Sequence, residues 1–405
     1  MSMLLYGLGT VPLAKLLKSE RELASATCTR GEQWSPVMPW YADDFASTGT
    51  AYQQAVTMKT LLKYGPGFGI NPRPEKSWII CDAKDEAATK EIFTHEGLEE
   101  IQFTRGMRYL GGFIGTDASK GEWMAEKVEQ WVHSIEVLEN IGRRYPQSAY
   151  YGMSVSLQNE WQHVCRIVPD AGDYLGPVEV ALKSFLSTLL DVGLDEQGTL
   201  RELLGHRVKN AGIGIGDPTK YAAECFEVSE ECVSYLSRSL KYGNEIDVDQ
   251  HAKVARTGRQ MCSAARDGAE KGRVKTWMED GGKIEEHRLM RAQESGAWLN
   301  AVPSTMNGTT LSKEEFRDNL RYRFGFKPTN LPEYCDGCGE VFSVEHGLNC
   351  KKGGLVNARH EDVADTWAWL GSLAYCPSAI SHRPRVDDGT RRRNNNGNGN
   401  GNGAN

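Results

Sequence analysis

Two short stretches carry residues able to do chemistry. The first is "PWYADDFAS", Pro39 to Ser47, which sets Asp43 and Asp44 side by side between aromatic and apolar neighbours. Two carboxylates about 4 Å apart repel by roughly 4 kcal/mol at an effective dielectric near 20. A fold therefore gives such a pair a metal ion or an arginine, or leaves it in water as a solvated turn. The second is "CDGCGEVFSVEHGLNC", which has the form C-x2-C-x7-H-x3-C with Cys335, Cys338, His346 and Cys350. Three thiolates and one imidazole make a closed tetrahedral zinc set. The glycines of "CDGCG" let backbone N–H groups point at sulfur. So small a unit builds little core, and zinc contributes roughly 10–16 kcal/mol of folding free energy to such units. Lys351, Lys352, Arg359 and His360 follow directly. They read as a phosphate-contacting patch or as a plain solvated charge cluster.

The elements around these residues can be read from pattern. Residues 36–48 read as strand, tight turn, strand, with the aspartates at the turn. Thr50 can cap a helix whose face is marked by Ala51, Ala55, Met58 and Leu62, and "YGPG" ends it. A Pro-rich loop "GINPRPEKS" carries Lys76 into a short buried strand, "SWIIC". The helix "KDEAATKEIFTHEG" leads to "IQFTRGMRYLGGFIGTD", a hairpin in which Gly111 and Gly112 mark a bulge or a close backbone approach. From Glu122 to about Phe326 the pattern is mostly helical, and Trp123, Trp131 and Trp161 fall on apolar helix positions, so they belong to a core. "GIGIGDP" has the wrong spacing for a dinucleotide loop and reads as a turn. "RHEDVADTWAWL" reads as an amphipathic helix with Val363, Trp367 and Leu370 on one face. The tail "RRRNNNGNGNGNGAN" is low-complexity and is expected to be disordered.

The order of these features has a chemical logic. Nucleotidyl transfer uses two metal ions about 3.5–4 Å apart to activate a 3′ hydroxyl and neutralise the leaving pyrophosphate. Carboxylates on a rigid turn can bridge such metals. A nearby lysine can protonate or steady the leaving group. A glycine-containing hairpin lets the backbone approach a primer strand. "WYADDF" resembles the catalytic hairpin of reverse transcriptases, "GFGINPRPEKS" the loop-lysine motif of the same palm, and "RYLGGFIG" its primer grip. "YGLGTVPLAKLL" resembles the helix before the catalytic hairpin. "LLGHRVKNAGIGIGDP" resembles a segment after the thumb of non-LTR (LINE-type) retrotransposon polymerases, and the Cys/His cluster sits where those proteins carry a CCHC zinc knuckle.

The resemblance implies an α+β chain. A partial reverse transcriptase palm of antiparallel hairpins plus helices would span 1–120 and a helical thumb and connector 121–330. The zinc-knuckle segment would span 331–388 and the disordered tail 389–405. It implies an RNA-directed DNA polymerase, with RNA template and DNA primer or target as partners and no membrane. The location would be intracellular, nuclear or in a ribonucleoprotein. By the same resemblance Asp43 binds magnesium or manganese with Asp44 beside it, and Lys76 is the loop lysine. Tyr41, Ala42, Gly111 and Gly112 face the primer. A surface lysine would look the same as Lys76, and a structural bulge the same as the two glycines.

The family's two-metal site also needs an aspartate from an earlier strand, and no aspartate precedes Asp43 here. The fingers and the nucleotide-selecting motif do not occur in this sequence either. The chain is therefore expected to be a C-terminal piece of such a polymerase that does not polymerise by itself. Its alternative role is a non-catalytic nucleic-acid-binding module of thumb plus zinc knuckle. "HRPRVDDGT" leaves a downstream nuclease centre incomplete. The knuckle of the family more often has four residues between its last two ligands, where this chain has three.

The totals set outer bounds. The 405 residues suffice for two or three domains, and 40% hydrophobic with 25% charged is ordinary for a folded chain. A net charge of −7 provides no global basic field, so nucleic acid would be met by local patches. No apolar run is long enough to span a membrane. The apolar start lacks a basic region and a cleavage site, so it does not read as a signal peptide. Six of the ten cysteines are scattered from Cys28 to Cys262, and Cys376 follows the cluster. That distribution suits a reducing compartment with one metal site better than a disulfide framework.

Overall fold

The computed structural model of the chain describes residues 3–25, 38–41, 44–194, 198–352 and 354–374. Ala42, Asp43 and the tail expected to be disordered lie outside them. The chain divides into two compact units, Met1–Phe326 and Lys327–Asn405. It is mostly helical, with three two-stranded sheets among the described residues.

The first unit opens with helix α1 (Met3–Ser25), which covers the "YGLGTVPLAKLL" stretch and buries Leu13 and Leu17. Strands β1 (Trp40–Tyr41) and β2 (Asp44–Phe45) form the expected antiparallel hairpin, with Trp40 opposite Phe45 and Tyr41 opposite Asp44. Helix α2 (Ala51–Tyr64) starts as the sequence requires. Thr50 accepts from the Gln53 N–H while the Gln53 side chain accepts from the Thr50 N–H, a closed capping box. Of its expected face, Ala55 is buried and Ala51 and Met58 pack beside it, but at the last turn Leu61 is buried against Leu13 and Leu17 while Leu62 is exposed. The hairpin packs on α1 and α2 together, because Leu13 and Leu17 of α1 and Leu61 of α2 take Trp40 and Phe45 against them.

Strand β3 (Trp78–Ile80), helix α3 (Ala83–His95) and strand β4 (Gln102–Thr104) depart from the expectation of antiparallel hairpins alone. The two strands pair in parallel, Trp78 with Gln102 through Ile80 with Thr104. A helix between two strands returns the chain to the same end, so parallel pairing follows from the crossover. Strand β3 is also not the buried strand its apolar letters suggest: Trp78 and Ile80 are exposed, and only Ile79 packs on the α2–α3 cluster around Ala55 and Phe93. A two-stranded sheet has no partner for its outer face.

Strands β5 (Gly106–Tyr109) and β6 (Gly112–Gly115) form the glycine hairpin. Its two-residue turn, Leu110–Gly111, has positive φ at both positions, 46° and 83°. That is the mirror-image turn whose twist matches the strands it joins.

The rest of the unit is helical: α4 (Asp117–Gly142), α5 (Pro146–Gly152), a π-helical turn at Met153–Leu157, α6 (Gln158–Cys165), α7 (Gly176–Leu190) and α8 (Gly198–Gly205). Then come α9 (Pro218–Tyr242), α10 (Val248–Glu294, interrupted at Gly282, where φ is 70°) and α11 (Lys313–Arg323). Trp131 and Trp161 sit in its core edge-on to one another, centroids 6.2 Å apart, and Trp123 packs at the margin. The tryptophans are packing residues, fully so for Trp131 and Trp161.

The second unit holds helix α12 (Val344–Asn349) and helix α13 (Leu355–Ala374). Among its described residues only Cys335 and Gly347 are buried. Val363, Trp367 and Leu370 lie on one helix face as expected, and all three are exposed.

Candidate functional site

The cysteine–histidine cluster is the most completely built site. Cys335 begins a tight knuckle in which Gly339 N–H donates to the Cys335 carbonyl at 2.8 Å and Cys335 N–H to Glu340 at 2.9 Å. Gly339 turns the chain back with φ of 76°. The N–H groups of Cys338 and Gly337 point at the Cys335 sulfur and hold its thiol below the usual range. His346 and Cys350 come from the other side. Four residues apart across one helical turn, they share a face, and Cys350 N–H closes that turn on the His346 carbonyl at 2.7 Å. Three intervening residues are thus what a helical delivery of both ligands requires. Ser343 caps the turn by accepting from the His346 N–H at 3.0 Å.

All four donor atoms lie within 4.8 Å of one another. The Cys335 and Cys350 sulfurs are 3.8 Å apart. Two thiolates at about 2.3 Å from a tetrahedral zinc stand about 3.8 Å apart. Cys338 Sγ and His346 Nε2 are 3.1 Å apart, a tighter pair that would close to about 90° at the metal. The cluster could hold a zinc ion. Lys351 and Lys352 follow it directly and are exposed, as are Arg359 and His360 at the start of α13.

The hairpin residues are distributed differently. Asp44 and Tyr41 face each other across β1–β2 and both are exposed. The edge-on Trp40–Phe45 contact, 5.1 Å between centroids, holds the base of the hairpin. Burial raises the pKa of Tyr109 on β5, and the negative charge of Asp44 adds to it. The two hairpins therefore share one electrostatic neighbourhood. The Tyr109 hydroxyl is buried there with no hydrogen-bond partner among the described residues. Lys76 ends a short 3₁₀ turn and is exposed, without an ion pair to any described residue. Among the described residues, the Cys/His cluster is the only group of three or more such side chains placed to hold a metal, so magnesium at Asp44 has no support from them.

Gly111 and Gly112 approach backbone to neighbour closely, but the neighbour is this chain. A Cβ on Gly111 would lie 2.8 Å from His163 Nε2, and one on Gly112 would lie 3.2 Å from Ile167 Cδ1. The hairpin tip is seated on the end of α6 and the residues after it.

"LLGHRVKNAGIGIGDP" forms a turn-rich loop at the centre of the helical body. A Cβ on Gly212 would come within 2.0 Å of the His206 carbonyl oxygen, so only glycine fits. The loop is held by buried polar groups that pattern reading did not single out. Arg201 makes a two-pronged pair with Glu179 at 2.8 and 2.7 Å and donates to the Ile215 carbonyl at 2.8 Å. Arg323 donates to the Val208 and Gly212 carbonyls at 2.9 and 3.1 Å. Asn210 donates to Asp267 and Glu270 at 3.0 and 2.7 Å. Hydrogen bonds from Lys209, Lys271 and Asn210 hold the Asp267 carboxyl well below the usual range. In sequence these are ordinary helical charges, and only partners far along the chain distinguish them.

His206 stacks on Trp277, centroids 5.3 Å apart, with its Nδ1 buried and without a hydrogen-bond partner among the described residues. Burial pushes its pKa down, against the pull of Glu270 and Glu202. The unfolded chain takes up the proton first, so stability present at neutral pH is lost as pH falls through the ordinary histidine range near 6.5. The melting temperature should fall between pH 7.5 and 5.5, and fall less in His206→Gln. Equal slopes in the two proteins would exclude His206 as the source.

Comparison with protein-family models, with curated proteins and with solved structures finds no match.

Proposed function

We propose that the chain is a reverse-transcriptase-like protein of the non-LTR retrotransposon type. It holds an RNA template with a DNA primer or target strand, and nucleotidyl transfer is not completed by this chain. The observation that carries this reading is the pair of hairpins. Asp44 of the first hairpin and Tyr109 of the glycine hairpin, distant in sequence, lie near enough that the Asp44 charge adds to burial in raising the Tyr109 pKa. A primer end held between a metal-binding turn and a primer grip needs that proximity. The order of motifs supports the same reading. The non-catalytic module is the second reading, favoured by the exposed Lys351 and Lys352 directly beside the metal-ligating Cys350.

Purified chain should bind an RNA–DNA hybrid with an affinity that falls steeply as salt rises. It should not extend the primer with magnesium or manganese. Asp44→Asn should leave the affinity unchanged, and removal of zinc should lower it. Primer extension lost in Asp44→Asn would overturn the non-polymerising reading. Absence of salt-dependent binding would remove both nucleic-acid readings.

A further inference from the structure

Helices α9 and α10 run side by side as a hairpin whose distal part belongs to no core. Between Phe226 and Arg266 only Ser239 and Gly258 are buried. The two helices are joined there by small contacts. The Cys232 thiol donates to the Ala255 carbonyl at 3.6 Å, and a Cβ on Gly258 would lie 3.0 Å from the Cys232 sulfur. Gly258 is what lets the helices approach.

Over the stretch beside Cys232 and Gly258 the outward faces of this arm carry opposite charge, although α9 exposes Arg238 and Lys241 nearer its end. Helix α9 exposes Glu227, Glu230 and Glu231. Helix α10 exposes Lys253, Arg256 and Arg259. None of these three cations forms an ion pair or side-chain hydrogen bond with a described residue, not even Lys253 with Asp249 one turn before it. Further along the same helix most cations are taken: Arg266 by Glu270, Lys271 by Asp267, Arg273 by Glu202, Lys275 by Glu279, Arg288 by Glu285 and Arg291 by the Tyr322 hydroxyl, while Lys283 beside the Gly282 kink stays open. In an acidic chain, a helix that pairs five cations with carboxylates and leaves three consecutive ones open together on its free end has a surface for an anion.

We infer that the Lys253–Arg256–Arg259 row binds the phosphodiester backbone of a nucleic-acid strand. Successive members are three residues apart, a rise of about 4.5 Å each, so the row offers a line of positive charge rather than one pocket. A single small anion would be met by one cation; a strand of phosphates engages all three. The acidic α9 face repels the same strand and so fixes which side of the arm it takes. This inference rests on the nucleic-acid reading above and assigns to that reading a surface outside its hairpins and its metal cluster.

The test compares wild type with the triple variant Lys253→Gln, Arg256→Gln, Arg259→Gln. Fluorescence anisotropy follows binding to an RNA–DNA hybrid across a salt series. Glutamine keeps helix propensity and the sites are exposed, so circular dichroism should be unchanged. Each lost phosphate contact removes about 0.9 from the slope of log K against log salt, so the slope should become shallower by about 2 to 3. At about 0.1 M salt the affinity should fall by at least about tenfold. An unchanged slope in a wild type that binds and responds to zinc removal would overturn the arm surface and leave the general reading standing. A wild type that does not bind would overturn both. Sedimentation supplies the remaining outcome. If the variant abolishes self-association and leaves hybrid binding intact, the basic row meets the acidic α9 face of a second copy, and the inference is wrong.

Discussion

Stripping zinc with a strong chelator should unfold the Lys327–Asn405 unit and leave Met1–Phe326 folded. The reason is the near absence of any other interior: only Cys335 and Gly347 are buried among the unit's described residues, while Trp367 and Val341 stay exposed at 71% and 69%. Apolar burial cannot hold such a segment, whereas structural zinc supplies roughly 10–16 kcal/mol. One zinc per chain is expected by elemental analysis. Cys350→Ser removes a ligand and the donor set's fourth corner, so it should reproduce the effect of the chelator. Limited proteolysis reads the result directly, because cleavage should concentrate after Lys327 in both cases. Retained protection of this unit in a protein shown to be free of zinc would mean that the cluster is not what folds it. The readout is independent of nucleic acid and therefore of any functional reading.

The second large effect is expected at the buried pair in the helical body. Arg201 and Glu179 are 5% and 9% exposed at the side chain and joined by two hydrogen bonds. Arg201→Ala should cost about 3–5 kcal/mol, since it leaves a carboxylate in the interior and also strips the Ile215 carbonyl of its donor. Removing both charges together should cost much less than the sum of the single losses. A Glu179→Leu, Arg201→Met double variant can come close to wild type, because the desolvation of both ions is removed with their attraction. Urea unfolding of wild type, Glu179→Leu, Arg201→Met and the double variant measures the coupling. Additive losses would show that the pair contributes little beyond two separate packing roles.

The contrast between these two sites shows where local pattern suffices. The zinc donors lie within sixteen residues, and each half of the set is placed by a local element, a glycine knuckle or one helical turn. Thr50 and Gln53 likewise make a helix start legible, since the capping box is closed within four residues. The Leu110–Gly111 turn and its flanking strands are also local, so the hairpin was readable, although the partner of its glycines was not. The mistakes have the same origin. Leu61 rather than Leu62 faces inward because α1 lies on that side, and "SWIIC" is half exposed because its sheet stops at two strands.

By itself, the sequence determined the helix caps, the hairpin turns, the helical periodicity and a cysteine–histidine set able to hold zinc, because neighbouring residues decide each of these. Tertiary structure alone decided that β3 and β4 run parallel, that Gly111 meets His163, and that Asp44 and Tyr109 share a field. It also decided that Arg201 answers Glu179. It separated the paired cations of α10 from the three left open. These outcomes depend on which distant residue occupies the adjacent space, and no local pattern of residues encodes a partner that lies tens of positions away.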